Sequence, residues 1–131
     1  ANYVRARLQG AYDLPYPTDS LHEVVFTDKA LKPTGVTTMD VAKRLIDHGF
    51  HPPTVYFPLV VHGALMIEPT ETESKETLDG FVAAMRAIAA EATANPDALK
   101  AAPRRPVRAR LDEVRAARRP VLRWTPGMKV E

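Results

Sequence analysis

Histidine is the residue type in this chain best suited to acid–base or metal chemistry, and it occurs four times, at His22, His48, His51 and His62. His48 and His51 are three residues apart, but Gly49 stands between them and is expected to end a helix. The two rings therefore need not share a face, and a metal site needs three or four converging ligands. We expect His48 at a helix C-terminus, where the dipole favours it, and the spacing predicts no metal site.

His22 and Glu23 stand next to each other in the apolar run of residues 21–27, "LHEVVFT", which predicts a β-strand. Neighbours on a strand point to opposite faces of a sheet, so we expect that the two side chains do not form a dyad. For each histidine, a hydrogen-bonded structural role remains the simpler interpretation.

Other catalytic chemistries find little support in residue type and spacing. Cysteine is absent, which excludes disulfides, thiolate metal ligands and cysteine nucleophiles. Ser20 and Ser74 lie in a turn and at a helix start, outside any nucleophile elbow, and the six glycines form no phosphate-binding loop. The carboxylates between residues 68 and 76 precede a helix, where capping explains them better than acid–base work. The sequence predicts no catalytic, cofactor-binding or metal-binding residue within this chain.

Charge divides the chain into an acidic body and a basic arm. Residues 104–131 hold nine basic and three acidic residues, a net charge of +6, so residues 1–103 carry −4 of the total of +2. The basic residues are Arg104, Arg105, Arg108, Arg110, Arg115, Arg118, Arg119, Arg123 and Lys129. Aromatic residues do not alternate with them, so nucleic-acid stacking is not favoured. An arm that wraps an acidic partner, or its own chain, is the stronger interpretation, with Trp124 as an anchor.

Local signals predict the elements that would position these residues. Helices are expected over residues 1–9, 37–49 and within 70–94, the second opened by a capping box of Thr37 and Asp40. Thr70, Thr72 and Ser74 are alternative N-caps of the third helix. Strands are expected over residues 21–27, 52–58 and 63–69, the last two joined as a hairpin. Prolines at both ends of "TVYF" favour an edge strand. Residues 95–106 read as a surface linker, and residues 107–119 as a short helix.

The order of these elements predicts a two-layer α/β (α+β) sandwich, in which helices cover one face of a small mixed or antiparallel sheet. We expect one small domain over residues 1–100, followed by a basic extended arm over residues 101–131. The 131 residues suit a single domain. No apolar run is long enough for a membrane span and no secretory signal is visible, so we expect a cytoplasmic protein without membrane contact. Ala1 opens directly into a helix, which suggests a piece of a longer chain.

Three motifs carry a specific resemblance. They are His22-Glu23 on a strand, Gly49-Phe50-His51 with Pro53-Thr54 after a helix, and Glu68-Pro69-Thr70-Glu71 before a helix. With "RLDEVRAARRPVLRW" in the arm, the chain resembles the glycine dehydrogenase (decarboxylating) family, the P-protein of the glycine cleavage system. The insertion "LVVHG" and the basic tail resemble subunit 2 of its two-chain form.

The resemblance implies the small C-terminal domain of a fold-type-I enzyme that uses pyridoxal phosphate. It implies a cofactor lysine in a large N-terminal domain of the same protein, with subunit 1 and a lipoylated H-protein as further partners. The reaction implied is glycine decarboxylation with transfer of the aminomethyl group to the lipoyl arm. His22 and His51 match family motif positions and are the candidates for the active-site mouth.

The lysines of this chain do not match the family's cofactor-lysine motif, so we expect the fragment alone to bind no pyridoxal phosphate and to be inactive. Two other functions remain open at the level of the sequence. One is a stand-alone small α/β binding or regulatory module without catalysis. The other is a nucleic-acid binder that uses the arginine-rich arm, whose affinity would fall steeply with salt.

Overall fold

A computed structural model of the chain describes residues 1–128, so Lys129 and Glu131 of the basic arm lie outside the described residues. The helices are α1 (Asn2–Leu8), α2 (Thr38–Asp47), α3 (Lys75–Ala94), α4 (Pro96–Lys100) and α5 (Glu113–Arg118), with a 3₁₀ helix over Lys29–Thr34. The strands are β1 (Val24–Thr27), β2 (Thr54–Val55) and β3 (Ala64–Ile67).

The strands form one three-stranded antiparallel sheet in the order β1-β3-β2. Val24 lies opposite Ile67 and Thr27 opposite Ala64, whereas Thr54 lies opposite Met66. The α+β class with a small antiparallel sheet is therefore confirmed. β2 is an edge strand, as its flanking prolines predicted, because proline has no N–H to donate to a second neighbour.

Alternate residues of the sheet face the helices. Val24 and Phe26 of β1 and Leu65 and Ile67 of β3 are buried in one core with side chains of the helices. The fully buried helical members include Val4, Leu8, Val41, Leu45, Met85 and Ile88. This alternation is the period-2 pattern of a sheet whose one face is covered by helices.

The other face of the sheet is covered by the chain between β2 and β3, residues 56–63, which we call the outer loop. Its Val61 packs with Val25, Ala64 and Met66 in a second apolar cluster. This explains why all four residues of β1 are buried, as its continuous apolar run predicted. Four large apolar side chains of the outer loop remain exposed: Tyr56, Phe57, Leu59 and Val60.

β1 is shorter than predicted at its start. The sequence indicated a strand from residue 21, but the ladder begins at Val24, and Leu21 is 97% exposed. The reason is tertiary: β3 ends at Ile67, opposite Val24, so residues 21–23 have no strand to pair with. An unpaired edge segment gains no ladder hydrogen bonds from an extended conformation.

The predicted surface linker is partly core. Asn95 caps α4 by accepting a hydrogen bond from the Ala98 N–H, with Pro96 at the first helical position. Leu99 and Ala102 are fully buried. The expectation of a surface linker over residues 95–106 is therefore wrong, because α4 packs against α2 and α3.

The first part of the arm is tied to α2. The Asp47 carboxylate accepts hydrogen bonds from the backbone N–H groups of Arg104 and Arg105 at 2.7 and 2.9 Å. Arg110 donates to Asp40 at 2.6 Å and to the Ala102 carbonyl at 2.8 Å. The division of the chain at residue 100 stays a prediction. α5 covers Glu113–Arg118, less than the predicted 107–119, and buries no side chain.

These contacts change the acidity of both carboxyl groups. Burial raises the pKa of Asp40, but hydrogen bonds from the Thr37 N–H and hydroxyl and from Arg110 outweigh it, so the pKa lies below its usual range. Burial likewise raises the pKa of Asp47, and the N–H groups of Arg105 and Arg104 with the Arg44 side chain reverse the shift. Both aspartates are thus held in their charged form.

Candidate functional site

The three motif segments converge at one end of the sheet. β1 and β2 both run antiparallel to β3, so both begin where β3 ends. His22 and Glu23 precede β1, residues 49–53 precede β2, and residues 68–71 follow β3. Segments far apart in sequence are therefore neighbours in space at this end of the sheet.

Two of these segments line a cavity of about 380 Å³, which we call the strand-end pocket. Its apolar floor includes Val4, Phe50, Ile67, Leu78 and Phe81. The remaining lining residues are Gly49, His51, Pro52, Pro53, Glu68, Pro69, Thr70, Glu73 and Thr77. An apolar floor with a few polar groups at the rim is the usual composition of a binding site.

The end of α2 builds one wall of this pocket. Gly49 adopts a left-handed conformation with φ of +84°, and its N–H donates to the Ile46 carbonyl at 3.0 Å. The Phe50 N–H donates to the Leu45 carbonyl at 3.1 Å, which completes a Schellman motif. The predicted helix stop at Gly49 is confirmed. The motif turns Phe50 onto Phe81 of α3, where the rings meet edge to face with centroids 5.5 Å apart.

His51 lies at the rim of the strand-end pocket with an exposed side chain. Its Nδ1 is 2.8 Å from the carbonyl oxygen of Pro52. A carbonyl can only accept a hydrogen bond, so the neutral ring carries its proton on Nδ1. Nε2 of that neutral ring is then left with a lone pair and can accept a hydrogen bond.

His22 lines a separate groove of about 290 Å³, next to Arg5, Leu21 and Pro58. The structure therefore does not bring His22 and His51 into one cavity. The expectation that His22 and Glu23 point to opposite faces is wrong, because both residues precede β1. The His22 Nε2 lies 3.9 Å from a Glu23 carboxylate oxygen, an ion-pair distance too long for a hydrogen bond.

The other two histidines lie away from these cavities. His48 caps the C-terminus of α2, as predicted, and its N–H donates to the Leu45 carbonyl at 3.0 Å. His62 is exposed in the outer loop. Over residues 1–128 no group of three or more histidine, aspartate or glutamate side chains is arranged to hold a metal ion.

A polar cluster joins α1 to the start of α3 beside the pocket. Asp79 accepts hydrogen bonds from the Tyr3 hydroxyl and from Lys75, the latter at 2.7 Å. Lys75 lowers the pKa of Asp79 and Asp79 raises the pKa of Lys75, each assisted by Tyr3. Apart from the i, i+4 spacing of Lys75 and Asp79, no sequence signal marks this cluster.

Sequence reasoning also missed the aromatic floor of the pocket. Phe81 is one member of the apolar stripe of α3, and nothing in its spacing distinguishes a pocket floor from core. Phe50 belongs to the Gly-Phe-His motif, which marked the segment but not its partner. Only the packing of α2 against α3 makes the two rings one surface.

The described residues do not fit pyridoxal phosphate. A lysine that forms a Schiff base needs a desolvated pocket. Lys29, Lys32, Lys75 and Lys100 are exposed and Lys43 is only half-buried, so no lysine between residues 1 and 128 meets this requirement. Neither cavity that contains a motif histidine is lined by a lysine.

Comparison with known proteins identifies the family. Residues 1–109 match the family model described as "Glycine dehydrogenase, C-terminal domain". The relatives are named "Probable glycine dehydrogenase (decarboxylating) subunit 2". The one from Oceanobacillus iheyensis is 54% identical to this chain, and the match covers 96% of this chain and 26% of the relative. The relative from Listeria welshimeri is 58% identical, over 95% of this chain and 25% of the relative. The relative from Caldanaerobacter subterraneus subsp. tengcongensis is 59% identical, over 95% of this chain and 26% of the relative.

The chain thus spans about a quarter of the length of these relatives. No helix between residues 1 and 128 is long and apolar enough to cross a membrane. The matched region includes all three motifs at the end of the sheet, and the resemblance seen in the sequence is confirmed. On this basis, the chain belongs to the family of glycine dehydrogenase C-terminal domains.

Proposed function

We propose that this chain acts as the C-terminal part of a glycine dehydrogenase (decarboxylating) subunit 2. The longer protein decarboxylates glycine and passes the aminomethyl group to the lipoyl arm of H-protein. The observation that carries the proposal is the convergence of the three family motifs at one end of the sheet, in a chain that is 54–59% identical to proteins of this name. A stand-alone binding module gains no comparable support.

In this proposal the chain supplies a wall of the active site, and pyridoxal phosphate is held by the remainder of the longer protein. The lack of a buried lysine between residues 1 and 128 agrees with that division. The chain contributes the end of its sheet as a wall that positions the incoming group and limits the access of water to the reacting groups.

His51 and His22 are the side chains of this chain that we assign to the mouth of the active site. The free Nε2 of His51 accepts a hydrogen bond from the incoming lipoyl arm or from its peptide, and the apolar floor of the strand-end pocket receives aliphatic carbons. His22 plays a corresponding part from the neighbouring groove. Neither residue is assigned a proton transfer.

The outer loop is the surface we assign to the contact with the protein's own large N-terminal domain. Its exposed Tyr56, Phe57, Leu59 and Val60, together with Leu21, form an apolar surface of the kind that partners cover. We further propose that the assembled protein pairs with a subunit 1 and operates in the cytoplasm.

The test uses the longer subunit 2, assembled with its subunit 1 and assayed with lipoylated H-protein by bicarbonate exchange into glycine. His51→Ala and His22→Ala are each expected to raise the KM for H-protein with kcat unchanged. Loss of one hydrogen bond of about 0.5–1.5 kcal/mol corresponds to roughly a 2- to 10-fold change in KM.

His48→Ala is the matched control, because His48 is exposed like His51 but lies outside both cavities. If His51→Ala and His22→Ala had the same KM for H-protein as the control His48→Ala, the role of the mouth histidines would be contradicted. Absence of glycine exchange in the unsubstituted assembly would contradict the proposed function itself. The 131-residue chain by itself is expected to show no exchange.

A further inference from the structure

Residues 111–128 are the described part of the arm beyond Arg110, which we call the free arm. Its arginines are Arg115, Arg118, Arg119 and Arg123. None of these four guanidinium groups has an ion pair with another residue between 1 and 128. The free arm therefore carries an unbalanced positive charge.

The free arm also exposes apolar side chains close to this charge. Val121, Leu122 and Trp124 are 72%, 88% and 74% exposed. A cluster of large apolar groups that includes a tryptophan and is flanked by arginines has the composition of an interface anchor. The surface that covers it should have an apolar centre and an acidic rim.

The strand-end pocket has that composition. Phe50 and Phe81 form part of its floor, and Glu68 and Glu73 stand at its rim. Glu71 and Glu76 flank the same turn, and within the described part of the chain none of these four glutamates has an ion pair. A volume of about 380 Å³ lies in the range of pockets that enclose whole small ligands, about 300–1,000 Å³, so it can admit an aromatic side chain.

Within one chain the free arm does not fill this pocket, because none of its residues lines the pocket and Trp124 is exposed. The tethers at Asp47 and Asp40 lead residues 104–110 along α2 from its C-terminal end, beside the pocket, to its N-terminal end. The free arm begins there, about 15 Å from the end of α2 at which the pocket lies. From that point, an extended segment with one short helix can reach roughly 35 Å as far as Trp124, which spans the distance to its own pocket as well as to another molecule. Trp124 is exposed in the described chain, so its ring is available to a second copy.

We propose that the free arm of one copy docks in the strand-end pocket of a second copy, with Trp124 over the aromatic floor and the arginines against the glutamate rim. Because each copy has one arm and one pocket, two copies exchange arms around a two-fold axis and both contacts close. Trp124 and the lipoyl arm would enter the same pocket, so docking of the free arm and the proposed use of this pocket as the active-site mouth exclude each other in any one copy. The docking itself depends on charge and apolar burial, so its test does not require glycine decarboxylation.

The test is a charge-swap experiment on the 131-residue chain, read by sedimentation equilibrium from micromolar to millimolar concentration. One variant reverses the arm, with Arg118→Glu and Arg119→Glu. The other reverses the pocket, with Glu68→Arg and Glu73→Arg. Each variant alone is expected to dissociate at least about tenfold more readily than the unsubstituted chain, because like charges then face each other. An equimolar mixture should recover dimers, since each arm again meets a pocket of opposite charge.

Lys29→Glu with Lys32→Glu is the matched control, since both lysines are exposed on the 3₁₀ helix outside the arm and the pocket. It should leave dimerisation unchanged, whereas Trp124→Ala should weaken it with no change of charge. Circular dichroism of every variant verifies that the fold is retained. The unsubstituted dimer should also weaken as sodium chloride rises from 50 to 500 mM.

Three results would overturn the proposal. The unsubstituted chain could remain monomeric at all concentrations. Hydrogen exchange could show a protected free arm in a monomer, which would place the arm on its own body. The dimer could persist in both charge-reversed variants, which would assign the contact to another face such as the outer loop. None of these results would change the outcome of the glycine-exchange assay in the longer protein, so the two proposals are tested separately.

Discussion

Replacement of Leu99 by alanine tests whether α4 belongs to the core. Leu99 is fully buried, although the sequence around it reads as a linker. The substitution removes three carbon atoms, and at about 0.8 kcal/mol for each buried methylene the transfer term alone is about 2.4 kcal/mol. The surroundings collapse only partially, and the cavity that remains adds a smaller term. We therefore expect a loss of about 3 kcal/mol in the free energy of unfolding.

This loss should be visible as a change in thermal stability. The unfolding entropy of a 131-residue chain is roughly 0.28 kcal/mol/K, taken from about 2.1 cal/mol/K per residue. A loss of 3 kcal/mol then corresponds to a decrease of about 11 °C in Tm. Thermal unfolding followed by circular dichroism at micromolar concentration measures this shift, and urea unfolding gives the free energy independently.

Leu21→Ala is the matched control, because the same three carbons are removed from a side chain that is 97% exposed. Its effect should stay within about 0.5 kcal/mol. If Leu99→Ala were as mild as Leu21→Ala, α4 would not be part of the core, and residues 95–106 would be the surface linker that the sequence suggested.

Two further predictions concern the arm tether and the outer loop. Asp40 and Asp47 have pKa values below the ordinary 3.9 or so of an unfolded aspartate, so their stabilisation is complete above that pH and is lost as the pH falls through the lower, folded-state values. Urea midpoints measured from pH 6 to pH 2 should therefore decline below about pH 4, and less so in Asp40→Asn; a flat profile would contradict the tether. Gly63 has φ of +65°, and a Cβ there would lie 2.0 Å from Asp28 Oδ1. Gly63→Ala should therefore lower the free energy of unfolding by about 2–4 kcal/mol. Gly10→Ala, with similar φ but open space, should cost only about 1 kcal/mol, and equal losses in urea unfolding would refute the clash.

Several elements could be predicted because their signals are local. The capping box of α2 forms as its sequence indicates: the Thr37 N–H donates to the Asp40 carboxylate at 2.8 Å, and the Asp40 N–H to the Thr37 hydroxyl at 3.4 Å. Gly49 ends the same helix, because a left-handed conformation is least costly for glycine. These interactions connect residues within one turn, so the sequence contains all the information they need.

The misassigned segments depend on partners that are distant in sequence. Asn95 followed by Pro96 is a helix-start signal that could have indicated α4, since asparagine caps and proline favours the first turn. Nothing near Leu99 shows that α2 and α3 leave space for it. Similarly, residues 21–23 have strand character, but they stay unpaired because β3 ends opposite Val24.

The candidate site shows the same division. The motif residues could be selected from the sequence, and the family they indicate is confirmed by the comparisons. That residues 49–53 and 68–70 share one pocket, whereas His22 lines another, follows only from the antiparallel register of β3 with its two neighbours.

The amino-acid sequence by itself determined the family, the α+β class, the limits of α2 and the opposite charges of body and arm. Those properties arise from residue identity, short-range hydrogen bonds and periodicity, which are fixed along the chain. Only the tertiary structure decided which helix ends and strand ends meet, that Leu99 is core, and which charges remain unpaired. These outcomes depend on the packing of segments that are distant in the sequence, and such packing is selected by the shape and burial of the whole fold rather than by any local stretch.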